Sequence, residues 1–130
     1  MVAVVTVRFR LPITRAGNVE GMSEQITRDE LRSAIAGGTV TVVDALPPAP
    51  YGKRHLPSAV NLTKEDPDQR VTEVLPDPAA TVVVYSTDAD CDRGPGMAGR
   101  LRALGYSDVR LYRDGIDDWV DAGLPVHAGT

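Results

Sequence analysis

Short apolar runs separated by amphipathic stretches set the pattern of this chain. Thr39-Val40-Thr41-Val42-Val43 and Thr81-Val82-Val83-Val84-Tyr85 are almost continuously apolar and β-branched, which predicts strands buried on both faces of a parallel sheet. Ala59-Val60-Asn61-Leu62 and Val109-Arg110-Leu111-Tyr112 are shorter runs of the same kind. Helical patterns lie between them. Thr27 with Glu30 three positions on forms a capping-box pattern, Leu31, Ala34 and Ile35 share one face, and Gly37-Gly38 is a stop. Residues 64–75 read as partly helical and end at Pro76 and Pro78, residues 97–104 as a helix closed by Gly105, and residues 116–122 as a last helix before Gly123-Leu124-Pro125. Prolines at 47, 48, 50 and 57 predict a loop without regular structure from Ala45 to Pro57. A polar loop is expected from Ser86 to Arg93.

This alternation predicts right-handed βαβ units and an α/β fold of three layers, a central parallel sheet of about five strands with helices on both faces. Ligands of such sheets bind at the carboxyl ends of the strands, so the loops after Val43, Leu62 and Tyr85 are expected on one rim. The first 25 residues stand apart. Met1 to Phe9 is partly alternating and β-branched, which suits an edge strand of this chain or of a second copy, with a flexible extension as the alternative, and Arg15 to Gln25 is a polar linker with Gly17 and Gly21. Met22 is an alternative natural start. The expected division is an N-terminal extension over residues 1–25 and a domain over residues 26–127.

Composition narrows the classes. A length of 130 residues fits one domain with a full core. The net charge of −4, a sequence pI near 5.0 and 5% aromatic residues argue against a nucleic-acid surface. No apolar run approaches the roughly 20 residues of a membrane helix, and the apolar start lacks the preceding basic residue of a signal peptide. A single cysteine, Cys91, excludes an internal disulfide and a multi-cysteine zinc site, and two histidines make a His-rich metal centre unexpected. No metal and no cofactor is therefore expected, and low cysteine use points to a reducing cytoplasm.

Four ordered segments carry a resemblance. Val42-Val43-Asp44 followed by Arg54-His55-Leu56-Pro57-Ser58-Ala59-Val60-Asn61-Leu62 resembles a "VDVR…GHIPGAINL" signature. Val82-Val83-Val84-Tyr85 with its loop and helix is similar to an active-site strand-turn-helix. Leu101-Arg102-Ala103-Leu104-Gly105-Tyr106, then Asp114-Gly115-Ile116-Asp117-Asp118-Trp119 and Ala122-Gly123-Leu124-Pro125-Val126, are similar to "LRALGY…GGIxxWxxAGLPV". Together they cover about residues 26–126 and resemble the rhodanese-like family, single-domain type. The resemblance implies a sulfurtransferase fold that carries sulfane sulfur as a cysteine persulfide. In that family the reactive cysteine directly follows the active-site strand and opens a loop of inward amides at a helix N-terminus, a setting that favours thiolates and anions.

The position after Tyr85 is Ser86. A serine hydroxyl does not hold a persulfide and needs a general base to become a nucleophile. His55 and Asp44 do not convert it into a triad by sequence position alone. The resemblance implies supporting roles for both, Asp44 bracing neighbouring loops and His55 ordering the signature turn. The loop continues Thr87-Asp88-Ala89-Asp90-Cys91-Asp92-Arg93. Its three carboxylates are expected to repel an anionic sulfur donor and to raise the pKa of a nearby thiol. Arg93 is its one cation, with Lys53 and Arg54 expected to approach from the preceding loop. Asp88, Asp90 and Asp92 match the start of an EF-hand, but Arg93 and Gly99 stand where glycine and glutamate are required. Cys91, five residues past the family position, is the alternative thiol, weighed against an inert side chain packed at the loop base.

The expected function is a rhodanese-like domain with a degenerate active-site loop, without sulfurtransferase activity, acting as a binding or regulatory module. The alternative is a thiosulfate or persulfide sulfurtransferase that uses Cys91, or one in which Ser86 replaces a natural catalytic cysteine. The partners implied are a small sulfur-containing anion or another protein.

Overall fold

A computed structural model describes residues 24–129. The elements in chain order are α1 (Arg28–Gly37), β1 (Thr41–Asp44), α2 (Pro48–Lys53), β2 (Val60–Asn61), α3 (Asp68–Val74), β3 (Thr81–Tyr85), α4 (Arg93–Ala103), β4 (Asp108–Tyr112) and α5 (Gly115–Asp121). The four strands form one sheet in the order β2-β1-β3-β4, and every pairing is parallel. The expectation of about five strands is met by four. Glu24 to Ile26 adds a single parallel bridge of Gln25 to Leu111 on the outer edge of β4. The strand expected within residues 1–10 lies outside the described residues.

Alternation along the strands splits the core in two. Val43, Val82, Val84 and Val109 face Val71 of α3 and Met97, Ala98 and Leu101 of α4. Val42, Val83, Tyr85 and Tyr112 face Leu31 of α1 and Ile116 and Trp119 of α5. The result is three layers, with β1 and β3 covered on both faces, as their unbroken apolar sequence requires.

Local chemistry explains the element ends. α1 starts in a complete capping box, Thr27 Oγ1 accepting from the Glu30 amide at 3.1 Å and Glu30 Oε1 from the Thr27 amide at 2.9 Å. It stops at Gly38, which takes the left-handed conformation with φ 68°. Three sequence expectations are corrected. The proline-rich stretch is not wholly irregular: Pro48 and Pro50 sit in the first turn of α2, where a missing N–H costs no helical hydrogen bond. α4 begins at Arg93, ahead of the expected Met97, because Pro95 is tolerated in its first turn for the same reason. The strand expected over residues 59–62 shortens to Val60–Asn61.

Because all four strands run the same way, their carboxyl ends share one rim. The loops after β1 and β3 part there, since β1 leads on to β2 and β3 to β4 on opposite sides. That divergence is where open α/β sheets place ligands.

Candidate functional site

The rim is braced by a buried polar knot. Asp44 is fully buried at the end of β1. Its Oδ1 accepts from the Leu46 amide at 2.8 Å, and its Oδ2 from the Tyr85 hydroxyl at 2.6 Å. Tyr85 Oη in turn accepts from the Leu56 amide at 3.0 Å. Burial pushes the Asp44 carboxyl above the usual carboxylate range, and the Tyr85 hydroxyl, the Leu46 amide and nearby His55 oppose that only in part. Burial and then the Asp44 charge push the Tyr85 phenol far up. Asn61 Nδ2 adds bonds to the carbonyls of Asp44 and Leu46 at 3.0 and 2.7 Å. Asp44 thus ties the loop after β1 to β3 and to the segment before β2. Tyr85 was not singled out from sequence, and a polar tip on the last residue of a buried strand was the available signal.

His55 is buried, its Nδ1 lies 2.8 Å from the Tyr51 carbonyl, and its ring stacks on Tyr51 with centroids 4.1 Å apart. Its backbone pairs with His127 through two amide-to-carbonyl bonds of 2.9 and 2.8 Å. These contacts order the turn before β2.

Ser86 is 3% exposed. Its Oγ accepts from the Gly94 amide at 3.1 Å, so a side chain from the strand end satisfies an amide that α4 leaves free at its start. The approach is close enough that a Cβ on Gly94 would sit 2.9 Å from Ser86 Oγ. The Ser86 and Thr87 carbonyls accept from Ile116 and Asp117 at 2.9 and 3.0 Å. Gly115, with φ 74°, starts α5 there, and a Cβ on it would lie 2.5 Å from the Thr87 carbonyl.

Asp88 folds the loop on itself. Its Oδ1 accepts from the amides of Asp90 and Cys91 at 3.0 and 3.1 Å. Ala89, Asp90 and Asp92 are exposed. Arg93 reaches the Ala45 carbonyl at 3.3 Å and Glu65 at 3.6 Å. Of the two cations expected to approach, Arg54 reaches the margin of the loop through Asp117, whose amide bonds the Thr87 carbonyl, and Lys53 does not. Lys53 is exposed on α2, and Arg54 pairs with Asp117 at 3.0 Å. The lysine that lies near Arg93 is Lys64. It lines a cleft of about 220 Å³ with Ala45, Asp92, Arg93, Gly96 and Met97, on the α4 side of the sheet.

Cys91 is half-buried and packs against the opposite cluster, that of Tyr85, Ile116 and Trp119. The expectation that the loop carboxylates raise its pKa is corrected. Burial does push the thiol up, but the Ser86 hydroxyl, the Arg93 amide and the Thr87 amide and hydroxyl outweigh it, and the net direction is down. The physical reason is that Asp88 spends its oxygen on the Asp90 and Cys91 amides, and the flanking Asp90 and Asp92 are exposed to solvent, which screens them. The Ser86, Thr87 and Arg93 donors surround the sulfur without a close hydrogen bond to it in the thiol form, among the described residues. The rim therefore offers a thiol in a setting that favours its anion, beside a hydroxyl locked to a helix start.

Residues 27–122 match the rhodanese-like domain family. An HTH-type transcriptional regulator of Mycobacterium tuberculosis, Rv0324, is 35% identical over 116 residues; the match covers 88% of this chain and 50% of the regulator, so the chain spans about half of that relative's length. A protein of Bacillus halodurans superposes with a TM-score of 0.76 at 21% identity, over 82% of this chain and 78% of that one. The rhodanese-like domain of an Anabaena protein gives 0.71 at 21% identity, over 81% and 79%. A thiosulfate sulfurtransferase of Pseudomonas aeruginosa gives 0.67 at 20% identity, over 84% of this chain and 21% of that one. At these identities the structural likeness speaks for the fold alone.

Proposed function

The chain belongs to the rhodanese-like domain family, and on that premise we propose that it is a degenerate member, one that passes no sulfur through position 86 and serves as a binding or regulatory module. The observation that supports this most is Ser86 itself. It stands directly after the central strand, is nearly fully buried, and uses its oxygen to hold the Gly94 amide. Among the described residues no histidine bonds to it, and His55 is committed to Tyr51. Neither a persulfide nor an activated alkoxide is available there. A regulatory setting also draws on the Mycobacterium tuberculosis relative, whose name is that of a transcriptional regulator. No helix among the described residues is long and apolar enough to cross a membrane, and the domain is read as working in a reducing cytoplasm that keeps its thiol free. In an assay of thiosulfate-to-cyanide transfer the purified chain is expected to show no turnover above background. Robust turnover lost in Ser86→Ala would overturn this reading.

A second reading is favoured by the surroundings of Cys91, whose thiol is shifted toward the thiolate. Here the module responds to, or carries, sulfur at Cys91. The Cys91 thiolate attacks the outer sulfur of thiosulfate or of a persulfide, a new S–S bond forms, the old one breaks, and sulfite or a thiolate leaves with its electron pair. Persulfide mapping by mass spectrometry tests it. One added sulfur on Cys91 after exposure to a donor is the expected result, and an unmodified Cys91 with both thiosulfate and a low-molecular-weight persulfide removes the reading.

A further inference from the structure

We propose that the groove at the free margin of β2 is a docking site for this chain's own residues 2–11, seated with Val5, Val7 and Phe9 turned inward. Residues 1–23 lie outside the described ones. The make-up of the groove, its charge and the length of the intervening chain point to this segment.

The sheet ends at β2, whose outer side no strand covers among the described residues. β2 contributes only Val60 and Asn61, with α2 and α3 standing on either side of it. The space between them is a groove of about 430 Å³, lined by Pro48 and Tyr51 of α2, Val60 and Asn61 of β2, and Arg70 and Val74 of α3. Val60 and Val74 pack against the core cluster on the α4 side of the sheet, and Tyr51 against the cluster on the α1 side. Both halves of the core therefore surface in this one place, and all three side chains are only half-buried. The two polar side chains in the lining already have partners. Asn61 Nδ2 donates to the carbonyls of Asp44 and Leu46, and Arg70 Nε pairs with Asp66 at 3.4 Å. Such a lining favours apolar side chains over a polar ligand.

The segment has the complementary pattern. Ala3, Val5, Val7, Phe9 and Leu11 occupy every odd position, and Thr6, Arg8 and Arg10 fall between them. A two-residue period puts the apolar set on one face of an extended chain. Pro12 ends the pattern, and no carboxylate occurs before Glu20. The α3 bank of the groove is of opposite sign. Glu73, between Arg70 and Val74, and Asp77 just past the helix are exposed and have no ion-pair partner among the described residues. Arginines on the outward face of the segment match that bank.

The joining chain is long enough. The described residues begin at the opposite margin, where the Glu24 carbonyl accepts from the Leu111 amide at 2.7 Å beside β4. A place beyond β2 lies five interstrand steps away, about 24 Å at about 4.8 Å each. Residues 12–23 reach about 40 Å when extended, which allows a path round the end of the sheet. A tethered segment of this length has a high effective concentration, which favours the same chain over a second copy.

Phe9 is the chain's one phenylalanine, so fluorinated phenylalanine in the full-length protein gives a single fluorine resonance that reports on this segment alone. That resonance is expected to be displaced from its position in a free peptide of residues 1–12, to hold its position on dilution, and to belong to a monomer by light scattering. Val7→Asp, which changes no side chain of the described fold, should return it to the free-peptide position. Val74→Lys, in the groove, should do the same, and Glu73→Lys on the exposed bank should move it part of the way. A resonance at the free-peptide position in the unaltered protein overturns the proposal. So does one that Val7→Asp releases and neither groove variant moves, because the segment is then held elsewhere. A displacement lost on dilution assigns the groove to a second copy and overturns it as well. Should Val74→Lys not fold, Glu73→Lys combined with Asp77→Lys, both at exposed positions, makes the same comparison.

Discussion

Asp44 holds a buried acid–hydroxyl contact with Tyr85 at the rim, and its burial carries a testable cost. Its carboxyl lies above the usual carboxylate range when folded and returns to that range when unfolded. The folded state therefore binds this proton more tightly than the unfolded state. The stabilisation that comes with protonation is present below the unfolded value and is lost as pH rises through the raised folded value. Asp44→Asn stays neutral at every pH and keeps an oxygen for the Leu46 amide. Measured by urea denaturation, wild type should gain stability relative to Asp44→Asn as pH falls through the raised value, and the difference should be flat at higher pH. A difference independent of pH would mean that the Tyr85 contact, rather than the charge, dominates. At this scale the sequence showed which residues gather at the rim, because strand ends in a parallel sheet must converge there. It did not show the polarity of the Cys91 surroundings. Counting Asp88, Asp90 and Asp92 along the chain treats them as point charges at equal distance, whereas the folded loop turns Asp88 onto its own amides.

The elements join through a few close contacts, and the sharpest is between the loop after β3 and the start of α5. Gly115 adopts φ 74°, and its missing Cβ leaves room for the Thr87 carbonyl. Gly115→Ala adds a left-handed alanine, about 1–2 kcal/mol, and an overlap with backbone that does not yield easily, about 1–3 kcal/mol. An expected loss of about 2–5 kcal/mol in chemical denaturation follows, together with a changed alkylation rate at Cys91, because the same carbonyls anchor the loop. Ala at Gly99, in α4 with open space around its Cβ position, is the control and should be close to neutral or slightly stabilising. β1 and β3 were readable because buried parallel strands need β-branched apolar runs and little else. α2 and the first turn of α4 were not, because proline marks both a helix start and a loop, and only the neighbouring fold distinguishes the two uses. The shortness of β2 escaped as well. Its side chains suit a longer strand, but Asn61 turns to the carbonyls of Asp44 and Leu46 and ends the ladder there.

Taken as a whole, the molecule puts its most protected strand directly before its most chemically distinctive loop. β3 is paired along its full length with β4 and from Val82 to Tyr85 with β1, and Val82 to Tyr85 are 1% exposed or less. The two margins differ: β2 contributes two residues, and Gln25 a single bridge. Native-state hydrogen exchange should therefore rank the amides of Val82 to Tyr85 slowest, released only when the whole domain opens, with those at Asn61 and Ile26 released earlier through local opening. Slow exchange at the margins, equal to that of β3, would contradict the ranking. The consequence for the loop is one of timing. The margins can open and close many times without the backbone of β3 giving up its protected amide protons, so Ser86 begins on the part of the chain that stays registered longest. A modification at Cys91 would then meet a fixed base rather than a fluctuating one, and its effect would travel outward, toward the α5 joint, instead of dissipating into the sheet.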